Sequence, residues 1–200
     1  MRPPRCFYQR DPVKLARALL GQRLVRVLNG RRLAGTIVEV EAYLGIEDKA
    51  AHTYNGRRTP RNTSMWGEGG HAYVYFTYGM HYCMNVVASV AEHPVAVLIR
   101  ALEPTEGIEQ MYQHRKAARR DTDLCSGPAR LCQALKIDRT LDGHDLVMGD
   151  QLFIEQTRKT ALPASHIIIG PRIGVSYAED WAHEPLRFYI KDHPHVSKAK

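Results

Sequence analysis

The pair Asn29-Gly30 constrains the fold most, because it stands between two runs with the composition of β-strands. A two-residue Asn-Gly loop favours a type I′ turn, whose twist matches that of two antiparallel strands. The flanking runs, residues 22–28 and 31–43, are therefore predicted to pair as an antiparallel hairpin. A second hairpin is predicted around Tyr78-Gly79-Met80, because strand-like runs flank this turn on both sides.

The remainder of the chain predicts more short strands and only a few helices. The second hairpin uses strands 72–77 and 82–88, and further strands are predicted at 95–101, 151–155, 167–169 and 186–190. Helices are predicted at 12–20, 47–52, 105–119 and 128–135; the first has Asp11 at its N-cap, Pro12 in its first turn and Gly21 after its end. Because most neighbouring strands are linked by hairpins, the pattern favours an α+β domain over a doubly wound parallel one.

The length and charge of the chain suggest one basic domain. Two hundred residues can bury a substantial core, so residues 1–200 are expected to form a single domain with a frayed tail at 193–200. Lysine and arginine exceed aspartate and glutamate by 28 − 21 = 7. This charge is consistent with a polyanionic partner such as nucleic acid, although many basic proteins bind none.

The cysteine pattern argues against several other classes of protein. The four cysteines are scattered and form no C-x-x-C pair, so neither a disulfide scaffold nor a structural zinc site is expected. The H-x-E and P-C-x-x-C motifs of zinc deaminases are also missing from the sequence. Neither a signal-peptide core nor a run of about 18 apolar residues occurs. The expected location is the cytoplasm, at the nucleoid in a bacterium, or the nucleus in a eukaryote, without membrane association.

Two glutamates and an arginine are the first candidates for catalysis. Glu39, Glu41 and Tyr43 alternate onto one face of the strand 31–43. Either carboxylate could act as a general base or face solvent, and their spacing does not rank them. Arg100 closes the apolar run 95–99, where it either reaches solvent or pairs with a buried carboxylate. If it faces Glu41, it favours the ionised form of that carboxylate at neutral pH.

Aromatic and amide side chains suggest a site for a flat ligand. Tyr78 stands at the tip of the second hairpin, where it either packs on its own hairpin or acts as a wedge between base pairs. Tyr75 and Tyr73 share one face, so at least one of them is expected in the core. Asn85 interrupts an apolar strand and could contact a ligand at a pocket wall, whereas His52 taken alone is more typical of a structural histidine.

A basic loop precedes the second hairpin. It contains Arg57, Arg58 and Arg61 among several glycines and prolines. Such a loop is either a solvated surface or a clamp for phosphate groups, and the net charge of +7 favours the clamp.

Taken in order, the motifs of this chain resemble those of the alkyladenine (3-methyladenine) DNA glycosylase family. The resemblance runs from about Leu15 to Tyr189. It rests on Glu41-Ala42-Tyr43, Ala50-Ala51-His52, Thr59-Pro60-Arg61-Asn62, Tyr73-Val74-Tyr75, Tyr78-Gly79-Met80, Asn85, Arg100-Ala101-Leu102-Glu103-Pro104, Cys125-Ser126-Gly127-Pro128 and Pro185-Leu186-Arg187-Phe188-Tyr189. It implies a mixed domain with a curved antiparallel sheet, flanking helices and a protruding hairpin. The implied reaction is hydrolysis of the N-glycosidic bond of damaged purines in double-stranded DNA.

The resemblance also implies roles for individual residues. Glu41 is expected to activate the water, which Arg100 and the backbone near Val175 help to hold. The flipped base is expected to be sandwiched by Tyr43, His52 and Tyr75, with Asn85 placed where the amino group of guanine would clash. Tyr78 is expected to fill the gap left in the duplex, with Met80 and His81 beside it in the minor groove.

These roles describe a monofunctional enzyme that leaves an abasic site. No lysine stands next to the carboxylates of the strand 31–43, which argues against a Schiff-base step. The expected partner is duplex DNA with alkylated or deaminated purines, and no cofactor, metal ion or second subunit is expected. Two alternatives stay open at this point: a non-catalytic nucleic-acid-binding module, and a metal-dependent nuclease with clustered acidic ligands.

Overall fold

The long strand β2 (Arg31–Tyr43) is the centre of the fold, because it pairs with three other strands. The computed structural model describes residues 1–198. Along one edge β2 pairs with β5, and along the other it pairs first with β1 and then with β8. The other strands are β1 (Arg23–Leu28), β3 (Ala72–Thr77), β4 (His81–Val87), β5 (Ala96–Glu106), β6 (Leu152–Glu155), β7 (Ile167–Gly170) and β8 (Arg187–Ile190). All of these pairings are antiparallel.

The sheet is curved where β2 meets β5. The register between these strands shifts at Ala34/Gly35 and again on both sides of Glu39. Extra residues of this kind bend a strand and increase its twist. A Cβ atom at Gly35 would lie 2.8 Å from the carbonyl oxygen of Glu103, so glycine permits the close approach of the two backbones. The predicted α+β fold with a curved antiparallel sheet is therefore confirmed.

Within the described part of the chain, five α-helices flank the sheet, and the two longest contribute to the core. The helices are α1 (Arg5–Tyr8), α2 (Pro12–Leu19), α3 (Ile108–His114), α4 (Asp121–Cys125) and α5 (Pro128–Leu135). Leu15 and Leu19 of α2 and Leu131 of α5 are fully buried in one apolar cluster with Val40 and Met84 of the sheet. Within residues 1–198, no helix is both long and apolar enough to cross a bilayer. The opposite face of the sheet carries the buried polar residues Glu39, Glu41, Asn85 and Arg100 beside smaller apolar clusters.

Both predicted hairpins are present, and the first has the predicted turn. Asn29 and Gly30 have φ values of 51° and 74°, as a type I′ turn requires. The second joins β3 to β4 through a loop that follows the pair Thr77 and His81. It protrudes, since Tyr78 at its tip is 82% exposed.

Two predicted helices differ in the structure. The helix predicted at 105–119 is confined to α3, because β5 continues to Glu106, whose carboxylate binds Arg23 and Arg32 on the neighbouring strands. The helix predicted at 47–52 is replaced by a 3₁₀ turn at Gly45–Glu47 followed by further turns. The Asp48 side chain accepts hydrogen bonds from nearby backbone N–H groups there, which compete with a regular helix.

The segment after β8 is ordered as far as it is described. A frayed tail was predicted for residues 193–200, but His195 and Ser197 are each only 8% exposed. Ser197 is hydrogen-bonded to the buried carboxylate of Glu39, which explains the difference. Residues 199 and 200 lie outside the described residues.

The N-cap of α2 gives a prediction about stability. Asp11 accepts hydrogen bonds from the N–H groups of Val13 and Lys14, at 2.9 and 3.0 Å. Replacing it with alanine leaves both donors without this partner, so Asp11→Ala should lower the free energy of unfolding by about 1 kcal/mol in urea titrations. Asp11→Asn is the matched control, because asparagine caps as well as aspartate. An alanine variant as stable as the asparagine variant would contradict the capping role.

Candidate active site

The candidate site is a row of residues that crosses five strands of the sheet. Tyr73 of β3 lies opposite Asn85 of β4, and Asn85 lies opposite Leu98 of β5. Leu98 in turn lies opposite Glu41 of β2, which also pairs with Arg187 of β8. Neighbouring strands are about 4.8 Å apart, so Glu41 and Asn85 are separated by two strand spacings, about 10 Å. The row therefore places a carboxylate and an amide at the two ends of one site.

Glu41 is fully buried, accepts hydrogen bonds from two partners and forms an ion pair with a third. Its Oε1 atom accepts from the backbone N–H of Ile173 at 2.7 Å and lies 3.2 Å from Nη1 of Arg100. Its Oε2 atom accepts from the hydroxyl of Tyr43 at 3.0 Å. The alternative that this carboxylate faces solvent is thus wrong, since both Glu41 and Glu39 are 0% exposed.

The surroundings of Glu41 suit a general base. Burial raises the pKa of Glu41 above the ordinary value of a glutamate, while Arg100, the Ile173 N–H and the Tyr43 hydroxyl lower it in part. A base works best when its pKa lies closer to the working pH, so this balance favours proton transfer near neutral pH. Burial also raises the pKa of Tyr43 well above its usual value, which keeps its hydroxyl protonated as a donor.

Glu39, the other candidate, has a different environment. Its Oε1 atom accepts hydrogen bonds from Nε of Arg100 at 3.0 Å and from Nη1 of Arg187 at 3.1 Å. Ser197 also donates to this carboxylate, and of the partners of Glu39 only Arg100 lines the pocket, whereas Tyr43, Ile173 and Arg100 around Glu41 all do. The surroundings therefore rank Glu41 above Glu39 as the base. Arg100 also lies within β5 rather than at its end, and it contacts both carboxylates.

A cavity of about 280 Å³ opens above Glu41. Seven of the predicted residues line it: Tyr43, His52, Tyr75, Tyr78, Asn85, Arg100 and Val175. Glu41 itself does not, but its hydrogen-bond partners Tyr43 and Ile173 and its ion-pair partner Arg100 do. The carboxylate therefore lies directly beneath the floor of the cavity.

Aromatic rings form one wall of this cavity. The rings of His52 and Tyr75 meet edge to face with their centroids 4.6 Å apart, and those of Tyr73 and Tyr75 stack at 5.3 Å. Nδ1 of His52 lies 2.8 Å from the hydroxyl oxygen of Tyr73. The backbone carbonyl of His52 accepts a hydrogen bond from Nδ2 of Asn62 at 2.9 Å, which fixes the loop that carries the ring. The wall is thus rigid on both sides of the imidazole.

The imidazole of His52 is held in its neutral form. Burial and, after it, the positive charges of Arg61 and Arg57 together lower the pKa of His52 to about 4. A neutral ring can stack against a cationic base without like-charge repulsion.

A buried ion pair holds the other side of the cavity. The guanidinium of Arg172 binds both carboxylate oxygens of Asp48, at 2.6 and 2.8 Å, and both side chains are fully buried. Arg172 also donates to the carbonyl of Ala42 and lies 4.7 Å from the centroid of the Tyr43 ring. Because Arg172 directly precedes Ile173, this pair fixes both the Tyr43 ring and the N–H group that binds Glu41.

The hairpin tip reaches the rim of the cavity. Tyr78 and Met80 are 82% and 70% exposed, and His81 beside them is also exposed. Tyr78 has a φ of 51°, a left-handed conformation that costs a residue with a side chain about 1–2 kcal/mol. Strain of this kind is common at functional sites. Met80 and His81 do not line the cavity; they border a separate cavity against α5.

The three arginines of the basic loop lie in different surroundings. Arg57 and Arg61 line a second cavity of about 260 Å³, which shares His52 and Tyr73 with the first. Arg61 also donates to the carbonyl of Phe76 in the hairpin, at 2.8 Å. Arg58 instead pairs with the carboxylate of Glu92 at 2.8 Å. The structure thus groups Arg57 and Arg61 beside the aromatic wall but separates Arg58 from them.

Several contributors to the site could not be identified from the sequence. Tyr177 lines the cavity and is 64% exposed, but it lies in a segment without a regular pattern. Arg172, Asp48 and Ser197 act through contacts across long sequence separations. For Tyr73, core packing was the expected outcome; it is buried, yet its hydroxyl orients His52.

Comparison with known proteins gives the family of this chain. The family model described as methylpurine-DNA glycosylase matches residues 6–194. The chain belongs to the methylpurine-DNA glycosylase family. This confirms the predicted family and the predicted class of enzyme, a hydrolase of N-glycosyl bonds.

Relatives of this glycosylase occur in bacteria and mammals. A relative from Bacillus cytotoxicus is 46% identical over 99% of this chain and 100% of its own length. The DNA-3-methyladenine glycosylases of Mus musculus and Homo sapiens are 46% and 47% identical over 96% of this chain. The chain spans 60% of the mouse protein and 66% of the human protein.

The electrostatics of the aromatic wall give a prediction about His52. Its imidazole should titrate with a midpoint of about 4 in pH-dependent NMR spectra. Because the unfolded chain protonates this histidine near pH 6.5, its contribution to stability should fall as the pH drops from about 6.5 to 4. Arg57→Ala removes a nearby positive charge and should raise the midpoint, whereas a wild-type midpoint near 6.5 would refute the proposed neutral ring.

Proposed function

We propose that this glycosylase hydrolyses the N-glycosidic bond of an alkylated or deaminated purine that has been flipped out of duplex DNA. The lesions are those of the 3-methyladenine, 7-methylguanine, hypoxanthine and ethenoadenine class. A water molecule activated by Glu41 attacks the deoxyribose, and the product is an abasic site for base excision repair. The enzyme acts as a monomer without a cofactor.

The observation that carries this proposal is the buried ion pair of Glu41 and Arg100 beneath an aromatic cavity. A protein that only grips DNA gains nothing from a fully buried carboxylate, because burying a charge is costly and the carboxylate repels phosphate. The cavity is also lined by aromatic rings, which contact with phosphate groups alone does not require. Both features fit a reaction at a sugar.

The chemistry requires a negative charge next to the reacting carbon. As the glycosidic bond breaks, positive charge develops at C1′ of the sugar, as in other glycoside hydrolyses. Glu41 stabilises that charge and accepts a proton from the attacking water, while Arg100 helps to hold this water. The carbonyl of Val175 already accepts a hydrogen bond from Ala178, and its second lone pair is available to orient the same water.

The aromatic residues favour bases that carry a positive charge. Alkylation at N3 or N7 makes a purine cationic and a better leaving group. Tyr43 and Tyr75 sandwich such a base with His52, and each good cation–π contact contributes about 0.5–2 kcal/mol. Neutral lesions gain less from stacking and need protonation of the leaving base.

Asn85 restricts which purines fit. It is 4% exposed and lines the cavity, and its Nδ2 atom donates to the carbonyl of Tyr73 at 3.2 Å. This hydrogen bond fixes the amide in place. A fixed amide at this wall clashes with the exocyclic amino group of guanine and so disfavours undamaged guanine. 7-Methylguanine meets the same clash, which its cationic stacking on the aromatic rings has to offset.

The hairpin and the basic loop bind the duplex. Tyr78 enters the stack and replaces the interactions lost by flipping, with Met80 and His81 in the minor groove. The loop arginines Arg57, Arg58 and Arg61 contact phosphates. Arg58 must first release its ion pair with Glu92. This costs little, because an exposed ion pair contributes little free energy.

The role of Glu41 is tested by Glu41→Gln. Glutamine keeps the shape of the side chain but cannot accept a proton, so base release from a hypoxanthine or 3-methyladenine duplex should slow roughly 100- to 10,000-fold. Lesion binding should be retained. Single-turnover assays in EDTA measure the release, and gel-shift titrations measure the binding.

The matched control for this test is Glu109→Gln, which makes the same charge change at an exposed position of α3. It should release the base at the wild-type rate. If Glu41→Gln excises the lesion as fast as this control does, the assignment of the base is wrong.

The wedge is tested by Tyr78→Ser. Loss of the ring should weaken binding to lesion-bearing duplex by about 1–3 kcal/mol, which is roughly 5- to 150-fold in affinity. A fluorescent base analogue opposite the lesion should also report less flipping. Met148→Ser removes a similarly exposed apolar side chain that does not line the cavity. It should change neither the affinity nor the flipping signal. Equal affinities for all three proteins would exclude the wedge.

A further inference from the structure

The segment that follows β8 folds back onto the polar face of the sheet. The backbone N–H of Ser197 donates to Oε2 of Glu39 at 2.7 Å, and its hydroxyl donates to Oε1 of the same carboxylate at 2.9 Å. The Ser197 oxygen also lies 3.4 Å from Nη2 of Arg100. One residue therefore contacts both members of the ion pair that lies behind the active site.

Two buried carboxylates compete for Arg100. Its Nε atom donates to Glu39 at 3.0 Å, while its Nη1 atom lies 3.2 Å from Glu41. A guanidinium can bind a single carboxylate with two parallel hydrogen bonds, and this arrangement is stronger than two separate contacts. Arg100 stays divided between the two carboxylates only if Glu39 finds enough donors elsewhere.

Ser197 and Arg187 supply those other donors. Arg187 contributes one hydrogen bond to Glu39, at 3.1 Å, and Ser197 contributes two. All three donors lie on elements other than β5, so Glu39 gains three hydrogen bonds besides the one that it accepts from Arg100. Their presence reduces the attraction of Glu39 for the second amino group of the guanidinium.

We propose that Ser197 is a positioning residue that keeps Arg100 engaged with Glu41 by satisfying Glu39. The inference rests on the proposed role of Glu41 as the base. It adds to that role a residue more than 150 positions away in the sequence, in a segment that touches neither the cavity nor the predicted DNA contacts.

Loss of the donors of Ser197 is expected to change the pKa of Glu41. The charged and titratable groups that interact with Glu41 come from its own strand, from β3, β4 and β5, and from the segment between β7 and β8. They are Glu39, Tyr43, Tyr75, Cys83, Arg100, Arg172 and Tyr177. The group that faces Glu39 from β8 is Arg187. When Arg100 turns towards Glu39, Glu41 loses stabilisation of its ionised form. Its pKa then rises, and more of the enzyme is protonated and inactive at acidic pH.

The test uses Ser197→Ala and Ser197→Thr in the full chain. Single-turnover rates of base release are measured between pH 5 and 9. In the plot of rate against pH, the midpoint of the acid limb should lie about one pH unit higher for Ser197→Ala than for wild type. Base release should therefore slow about tenfold at pH values below this midpoint and change little above it. Affinity for lesion DNA should not change. Ser197→Thr keeps the hydroxyl and should restore the wild-type profile.

Ser197→Pro extends the series, because proline removes the N–H donor as well as the hydroxyl. Its acid limb should move further than that of the alanine variant. Pro194→Ala alters an exposed residue of the same segment and should behave as wild type. Thermal unfolding is recorded for each variant, so that a loss of activity can be compared with a loss of stability.

Two outcomes would overturn the inference. One is a wild-type acid limb in both Ser197→Ala and Ser197→Pro. The other is an equal loss of rate at every pH that follows a lower melting temperature and is not restored by threonine. Glu41→Gln separates this inference from the proposed function: if it is inactive while the Ser197 variants are normal, only the positioning role is wrong.

Discussion

The structure depends on the burial of two carboxylates, Glu39 and Glu41, on one face of a β-strand. A buried carboxylate is stable only when cations and hydrogen-bond donors replace its water. Arg100 and Arg187 supply the positive charge, and N–H or O–H groups of Tyr43, Ile173 and Ser197 supply other donors. These partners come from β2 itself, from β5, from the loop after β7, from β8 and from the segment after it. Much of the polar face is therefore organised around satisfying this pair.

The Asp48–Arg172 pair fixes the positions of the segments around the cavity more than it stabilises the fold. Replacing a buried ion pair with apolar groups is often neutral, so its presence argues for a role in geometry. It joins the end of β2, the turn that leads to His52 and the loop at Ile173. These three segments form three sides of the cavity. Because they share one guanidinium, they cannot move independently of one another.

The sequence predicted local features well and long-range contacts poorly. The Asn29-Gly30 turn was correct because its conformation depends on two residues. The predicted end of β5 was wrong, because pairing with β2 and the arginines bound to Glu106 extend this strand to Glu106. The motifs predicted which residues would gather at one cavity. They could not rank Glu39 against Glu41, since the two share a face and differ only in partners that come from distant segments.

The cross-strand row has a consequence for how the enzyme folds. Alternate residues of a strand point to opposite faces, so a slip of one residue between β4 and β5 would turn Asn85 into the apolar core. The same slip would bring apolar side chains of β4 out to the polar face. A misaligned sheet would therefore be unstable as well as inactive. The strand register that buries the apolar core is therefore the same register that places Asn85 at the cavity, so the core and the site form together.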